Sequence, residues 1–252
     1  MMRFVTLDEA RAARGLRLVV MANGPSPWTE AAKGCFDVKG LDYLAVRLTP
    51  SDTETRAWTG AHNAPVALFE DEPARAGWAE ILALAERLAP QPSLIPGRAA
   101  DRIEMFGLAH EILGEGALVW SLRLQQIHAG LVTNGGRGFS VPAARYLAAK
   151  YGYAPERVAP ARERLGQVLD ALGARLADGR RYLLGTLTAL DIYAAVAMGV
   201  FAPLPEEQCP MAPPFRQAFS TLDDELRAAV PAALLAHRDF IYDRHLVLPV
   251  RF

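Results

Sequence analysis

The sequence predicts two structural classes in series: a small α/β unit over residues 1–89 and an all-α unit over residues 99–252, joined by a linker at 90–98. Three observations predict it. Before residue 89, short runs rich in β-formers alternate with helix-period segments, as in βαβ units. The stretch APQPSLIPG at 89–97 holds three prolines and no periodicity. Beyond it, strand signals nearly vanish and helical patterns follow one another. A chain of 252 residues, 51% of them apolar, is long enough for two cores.

The elements follow in order. Residues 16–21, LRLVVM, form a short run of the kind that makes a buried strand. Asn23-Gly24-Pro25-Ser26-Pro27 breaks the chain, and from 28 to 39 the period becomes helical, with Ala31, Ala32 and Cys35 on one side. Ser26 then stands at the N-cap and Pro27 at the first helical position. Residues 41–48 read as a second strand, 49–61 as polar and irregular, and 66–69 as a third strand closed by acidic residues and Pro73. The helix at 78–88 places Ile81, Leu82, Leu84, Ala85 and Leu88 on its apolar side. Past the linker, helices are expected at 99–128, 141–151, 160–177, 190–201 and 231–245, with Asn134-Gly135-Gly136, Asp178-Gly179 and Pro-rich 202–214 between them.

Several function classes are disfavoured. A net charge of −1 leaves no basic excess for phosphate-driven nucleic-acid binding. The N-terminus reaches Asp8-Glu9 before any apolar run, unlike a secretory signal. The longest apolar stretch, 192–204, is too short to span a bilayer, so no membrane partner is expected. Cys35 and Cys209 form neither a CxxC pair nor a metal spacing. A reduced, cytoplasmic protein is the simplest expectation.

Three local features belong together. At Ser26-Pro27-Trp28 a hydroxyl stands where a helix begins, beside unpaired N–H groups and a partial positive charge. Such a hydroxyl donates to a bound thiolate, although a plain capping serine satisfies the same pattern. At Asn63-Ala64-Pro65-Val66 a proline precedes a strand; it either starts the strand in trans or is cis and turns Ala64 toward an extended ligand. In Gly185-Thr186-Leu187-Thr188-Ala189-Leu190-Asp191-Ile192, Thr188 and Asp191 have capping-box spacing, and Leu187 with Ile192 that of a hydrophobic staple. This third feature fixes where a helix starts and carries no chemistry.

In this order, S-P-W after the first expected strand, A-P-V before the third, a Pro-rich linker and G-x-x-T-x-x-D, the chain resembles the cytosolic glutathione S-transferase (GST) family, in its bacterial type, from Leu16 to His245. The resemblance implies a thioredoxin-like N-terminal domain, an all-helical C-terminal domain, an active site between them and a homodimer. It puts Ser26 at the catalytic position, where serine stabilises the glutathione thiolate without forming a mixed disulfide. It gives Ala64-Pro65 the backbone contact to the cysteinyl part and Asn63 the glycyl end, with Trp28 beside them in the glutathione site. Glutathione is then a co-substrate, a small hydrophobic electrophile the partner, and no metal is required. Detoxification by conjugation is the leading expectation. The alternatives are a non-catalytic binding or assembly protein on the same fold, and a glutathione-dependent isomerase or dehalogenase.

One element departs from the family pattern. A Glu-Ser pair usually opens the third family helix to hold the γ-glutamyl group. Keeping the apolar face of 78–88 in register places Glu80 at the Glu position and Ile81 at the Ser position, which is the alignment preferred; counting from Pro65 points to Gly77-Trp78. Beyond the linker, His110, Ala117 and Trp120 are expected to line the second-substrate pocket, with Arg123 one turn further; packing is the alternative use for each. His110-Glu111 has no third ligand at metal spacing, and Gly135-Gly136-Arg137-Gly138 follows no strand, so neither supports a metal or phosphate site. Tyr242, Arg244 and His245 either fold over the cleft or lie elsewhere.

Overall fold

The computed structural model of the chain describes residues 1–49 and 51–252. Its first unit contains β1 (Met2–Phe4), α1 (Leu7–Ala12), β2 (Leu16–Met21), α2 (Pro27–Val38), β3 (Tyr43–Leu48), α3 (Thr53–Thr59), β4 (Val66–Phe69) and α4 (Trp78–Leu88). The sheet order is β1-β3-β2-β4, with β3 parallel to β1 and β2, and β4 antiparallel to β2. β2 is central, which is why its sequence is almost continuously apolar rather than alternating. Its one charge, Arg17, donates from its two terminal nitrogens to the Ala13 and Glu70 carbonyls at 2.6 and 2.5 Å.

Three elements of this unit were not expected. β1 is too short to show a period and pairs at the edge, Met2 opposite Tyr43. α1 opens with a Thr6/Glu9 capping box, in which Thr6 N–H donates to the Glu9 carboxylate at 2.7 Å. α3 falls in the segment expected to be irregular; Asp52 caps it, accepting from Thr55 N–H at 2.9 Å.

The helical unit holds α5 (Ala99–Leu113), α6 (Leu118–Val132), α7 (Val141–Tyr151), a short 3-10 turn at Pro155–Arg157, α8 (Val158–Arg175), α9 (Ala189–Phe201), α10 (Pro213–Ser220), α11 (Asp224–Ala228) and α12 (Ala232–His245). The single helix expected at 99–128 is two helices, because Gly114 and Gly116 interrupt the ladder and Gly116 adopts φ +72°. α9 is buried almost all round, which explains the longest apolar stretch of the sequence as a core helix. It packs against α2, α5 and α12, so a single apolar core runs from the sheet unit into the helices.

The approach of α2 to α9 depends on Gly34. A Cβ there would stand 2.6 Å from the Ile192 Cγ2 methyl and 3.0 Å from Leu246. Gly34→Ala is therefore expected to lower stability by up to about 2 kcal/mol, since overpacking of about 1–3 kcal/mol is set against the roughly 1 kcal/mol gain in helix propensity. Urea denaturation measures it; equal or greater stability would show that the helices separate at no cost.

The Thr188 and Asp191 pair starts α9 as its spacing implies. The Asp191 carboxylate is fully buried and accepts from Thr188 N–H at 2.8 Å and from Leu183 N–H at 2.8 Å. His237 Nε2, on α12, lies 3.1 Å from the same carboxylate. After α12 the chain turns back over the first unit. Lys33 Nζ donates to the Arg251 carbonyl at 2.8 Å, and Arg47 Nε to that of Phe252 at 2.7 Å. Tyr242 is buried and His245 Nε2 lies 3.0 Å from the Tyr182 hydroxyl, so this segment does not cover the cleft beside Ser26.

Candidate functional site

Ser26 stands at the N-cap of α2 in extended conformation, and its carbonyl accepts the first helical bond from Glu30 N–H at 2.8 Å. Its side chain makes no capping hydrogen bond. The hydroxyl therefore lacks the structural use that a capping serine would have, and Ser26 lines a cavity. The loop before it is pinned by the helical unit. Ala212 N–H donates to the Asn23 carbonyl at 3.2 Å, and Gly24 touches the Phe215 ring so closely that a Cβ would lie 2.6 Å from it.

Two adjoining cavities meet here. The one containing Ser26 measures about 190 Å³ and is walled by Met21, Leu48, Phe139, Leu147 and Phe215, with Arg56, Arg123 and Lys150 among its polar groups. The other measures about 560 Å³ and is bounded by Pro65, Gly77, Trp78, Glu115 and Trp120. Trp28, His62, Asn63, Ala64, Lys150 and Tyr151 line both. The Trp28 ring is held by its Nε1–H, which donates to the Leu113 carbonyl at 2.7 Å at the end of α5. Trp120 donates to the Tyr151 carbonyl at 3.2 Å, and its ring meets that of Tyr151 edge-on at 4.7 Å. The Ala64–Pro65 bond is cis, the second of the two arrangements open to it.

The structure gathers Ser26, Trp28, Asn63, Ala64, Pro65 and Trp120 around these cavities. It does not gather the other expected residues. His110 is exposed on α5 and Ala117 is buried at the start of α6, both away from the two cavities; the break at Gly114–Gly116 resets the helix phase between His110 and Trp120, while Ala117, at the N-cap of α6, turns into the core. Glu80 lies outside both cavities. α4 begins at Trp78, so Gly77-Trp78 open the helix, while the exposed Glu80 carboxylate accepts from Gly77 N–H at 3.2 Å and Ile81 enters the core.

Lys150 and Tyr151 were not singled out from the sequence. The available signal was that the helix at 141–151 carries Arg145 and Lys150 and no acid. Burial pushes the Lys150 ammonium below the usual lysine range, with the charges of Arg123 and Arg56 adding to the effect. Burial likewise lowers the Arg123 guanidinium, opposed by the Tyr151 hydroxyl. A further cavity of about 340 Å³ lies between α2 and the C-terminal segment, beside the buried Glu30–Lys33 pair, and does not include Ser26.

Neither cysteine is activated as a nucleophile. Burial pushes the Cys35 thiol up to about 12, opposed by its contact with the Tyr193 hydroxyl, and pushes Cys209 up to about 11. Both are expected to resist iodoacetamide in the native protein at mildly alkaline pH and to react once it is unfolded, as read by intact mass. Rapid native labelling of either would contradict this. Among the described residues there is no group of three or more His, Cys, Asp or Glu placed to hold a metal ion, and no helix long and apolar enough to cross a membrane.

No protein-family model and no curated protein sequence matches the chain. Solved structures do. A glutathione transferase family member from Pseudomonas fluorescens, with two glutathione molecules bound, is similar at TM-score 0.64 and 14% identity, covering 96% of this chain and 97% of that one. A glutathione S-transferase from Methylobacterium radiotolerans, in complex with glutathione sulfonate, is similar at TM-score 0.59 and 19% identity, with 91% of each chain covered. Glutathione transferase Omega 3C from Trametes versicolor is similar at TM-score 0.61 and 15% identity, covering 97% of this chain and 87% of that one. The chain has the fold these proteins share: a thioredoxin-like unit followed by an all-helical one.

Proposed function

We propose that this protein is a member of the glutathione transferase family and that it uses glutathione as co-substrate, with Ser26 holding the thiolate. The observation that carries the reading is the Ser26 hydroxyl, placed at the start of α2 and unused as a cap, on a residue that lines a cavity walled also by Ala64. There the Oγ–H donates to the glutathione sulfur, and the partial positive charge of the helix N-terminus favours the anion. A free thiol titrates near about 8.5, and each unit by which the site lowers it corresponds to about 1.4 kcal/mol in favour of thiolate.

The rest of the tripeptide extends into the larger cavity. The Ala64 backbone aligns the cysteinyl part, Asn63 reaches the glycyl end, and the Trp78 backbone N–H at the start of α4 receives the γ-glutamyl carboxylate, Gly77 N–H being held by the Glu80 carboxylate. Gly77-Trp78 supply no side-chain hydroxyl, so one hydrogen bond to that carboxylate, about 1.5–3 kcal/mol, is forgone. The thiol proton leaves to solvent, the thiolate forms the new C–S bond, and the leaving group departs with its electron pair. In this reading the enzyme is a cytoplasmic homodimer, conjugating a small electrophile for detoxification; isomerase or dehalogenase chemistry would use the same thiolate and differ in the product.

Calorimetry with reduced glutathione tests the reading. Saturable binding at millimolar ligand or below is expected. No heat at millimolar ligand would instead favour a binding or assembly protein on this fold, the reading that the missing hydroxyl at Gly77-Trp78 supports.

A further inference from the structure

We propose that the cavity beside Ser26 takes a second substrate bearing a carboxylate, which Arg123 and Lys150 bind while the apolar wall holds an aromatic body. The proposal rests on the transferase reading above and replaces its neutral hydrophobic electrophile with an aromatic acid.

The argument begins with a buried charge. Arg123 is only 6% exposed. A buried cation costs several kcal/mol unless it is paired or hydrogen-bonded, and the two buried lysines of the first unit each meet a carboxylate, while the buried Arg17 is met by two backbone carbonyls. Lys33 meets Glu30 at 2.7 Å, and Lys39, also buried, meets Glu86 at 2.7 Å. Among the described residues no carboxylate pairs with Arg123 or with Lys150, and none lines the smaller cavity. Arg123 instead donates to Gln126 Oε1 at 2.7 Å and lies over the rings of Phe219 and Phe139, 5.0 and 5.6 Å from their centroids. These contacts orient the guanidinium without neutralising it. The Lys150 ammonium, 5.5 Å from the Tyr151 ring centroid, adds a second positive charge to the same wall, and Arg56 lines it too.

Concentrated positive charge inside a low-dielectric wall attracts an anion. Burial depresses the Lys150 ammonium, and the nearby charges of Arg123 and Arg56 depress it further. Phe139, Leu147 and Phe215 complete the cavity, so its occupant is apolar apart from the anionic group, and about 190 Å³ is the scale of one substituted ring. A carboxylate could also come from glutathione itself. Arg123 and Lys150 project from α6 and α7 of the helical unit. The tripeptide is assigned to the larger cavity beside Pro65 and Gly77. Arg123 lines only the smaller cavity, whereas Lys150 borders both, so the anion that Arg123 meets belongs to the second substrate.

The test compares dinitrobenzoate with dinitrobenzene, neither of which can react with a thiolate by chloride loss. On the full-length protein, calorimetry is expected to show the acid binding at least tenfold more tightly. Lys150→Met, at a half-buried residue, is expected to remove most of that preference; because Lys150 also borders the tripeptide cavity, Arg123→Met, checked for folding by circular dichroism, is the variant in which the preference falls while glutathione affinity changes less than threefold. Equal binding of the two ligands, or a preference that survives in Lys150→Met, overturns the proposal. So does a parallel loss of glutathione binding in Arg123→Met, which would assign the cations to the tripeptide. Turnover separates the two readings. With chlorodinitrobenzoate and chlorodinitrobenzene, the thiolate forms the C–S bond and chloride leaves with its electron pair, and kcat/KM is expected to favour the acid by at least tenfold. Tight binding of the acid without turnover of either compound overturns the transferase reading and leaves the anion site standing.

Discussion

Ser26→Ala is expected to lower the glutathione-dependent kcat/KM by ten- to a hundredfold, the effect of removing one hydrogen bond of about 1.5–3 kcal/mol from a charged sulfur. Stability should stay within about 0.5 kcal/mol of the parent, because the Ser26 side chain caps nothing. The combination is diagnostic. A capping serine would show the reverse: about 1 kcal/mol of stability lost and activity little changed. Parallel denaturation and rate measurements on the two proteins decide between them.

Asp191→Ala is expected to be the most destabilising single change, by about 3–5 kcal/mol. The carboxylate is fully buried and serves Thr188 N–H, Leu183 N–H, the Thr188 hydroxyl at 3.1 Å and His237 Nε2. Its removal leaves several buried polar groups unpaired at about 1–3 kcal/mol each, offset in part by local relaxation. It also undoes the start of α9, against which α2, α5 and α12 pack. Asp191→Asn keeps the acceptor oxygen and should lose less. Urea midpoints rank the variants; a loss below about 1 kcal/mol for Asp191→Ala would show that the network is not holding the helix.

Elements with a clear period and strong boundary residues were legible in the sequence. The strands at 16–21 and 66–69 and the helices at 78–88 and 141–151 fall where the pattern puts them. β1 was not legible, since three residues at a sheet edge show no alternation. α1 carried a readable Thr-x-x-Glu box that went unused, whereas α3 had only a polar sequence and an Asp cap. The site divides in the same way. Ser26, Trp28, Asn63 and Pro65 sit at strand-to-helix and loop-to-strand junctions, where local sequence fixes position. His110 and Ala117 depended on the phase of one long helix, which Gly114 and Gly116 interrupt. Arg123 and Lys150 converge from different helices, and only tertiary packing brings them beside Ser26.

The most direct test of the central claim is the titration of glutathione's thiol while it is bound, followed by thiolate absorbance. If Ser26 and the α2 N-terminus hold the sulfur, the thiolate forms on the protein at least one pH unit below free glutathione, whose thiol titrates near about 8.5. Ser26→Ala then returns the midpoint toward the free value. Bound glutathione that titrates like free glutathione, or an equal depression in Ser26→Ala, would contradict the assignment of Ser26.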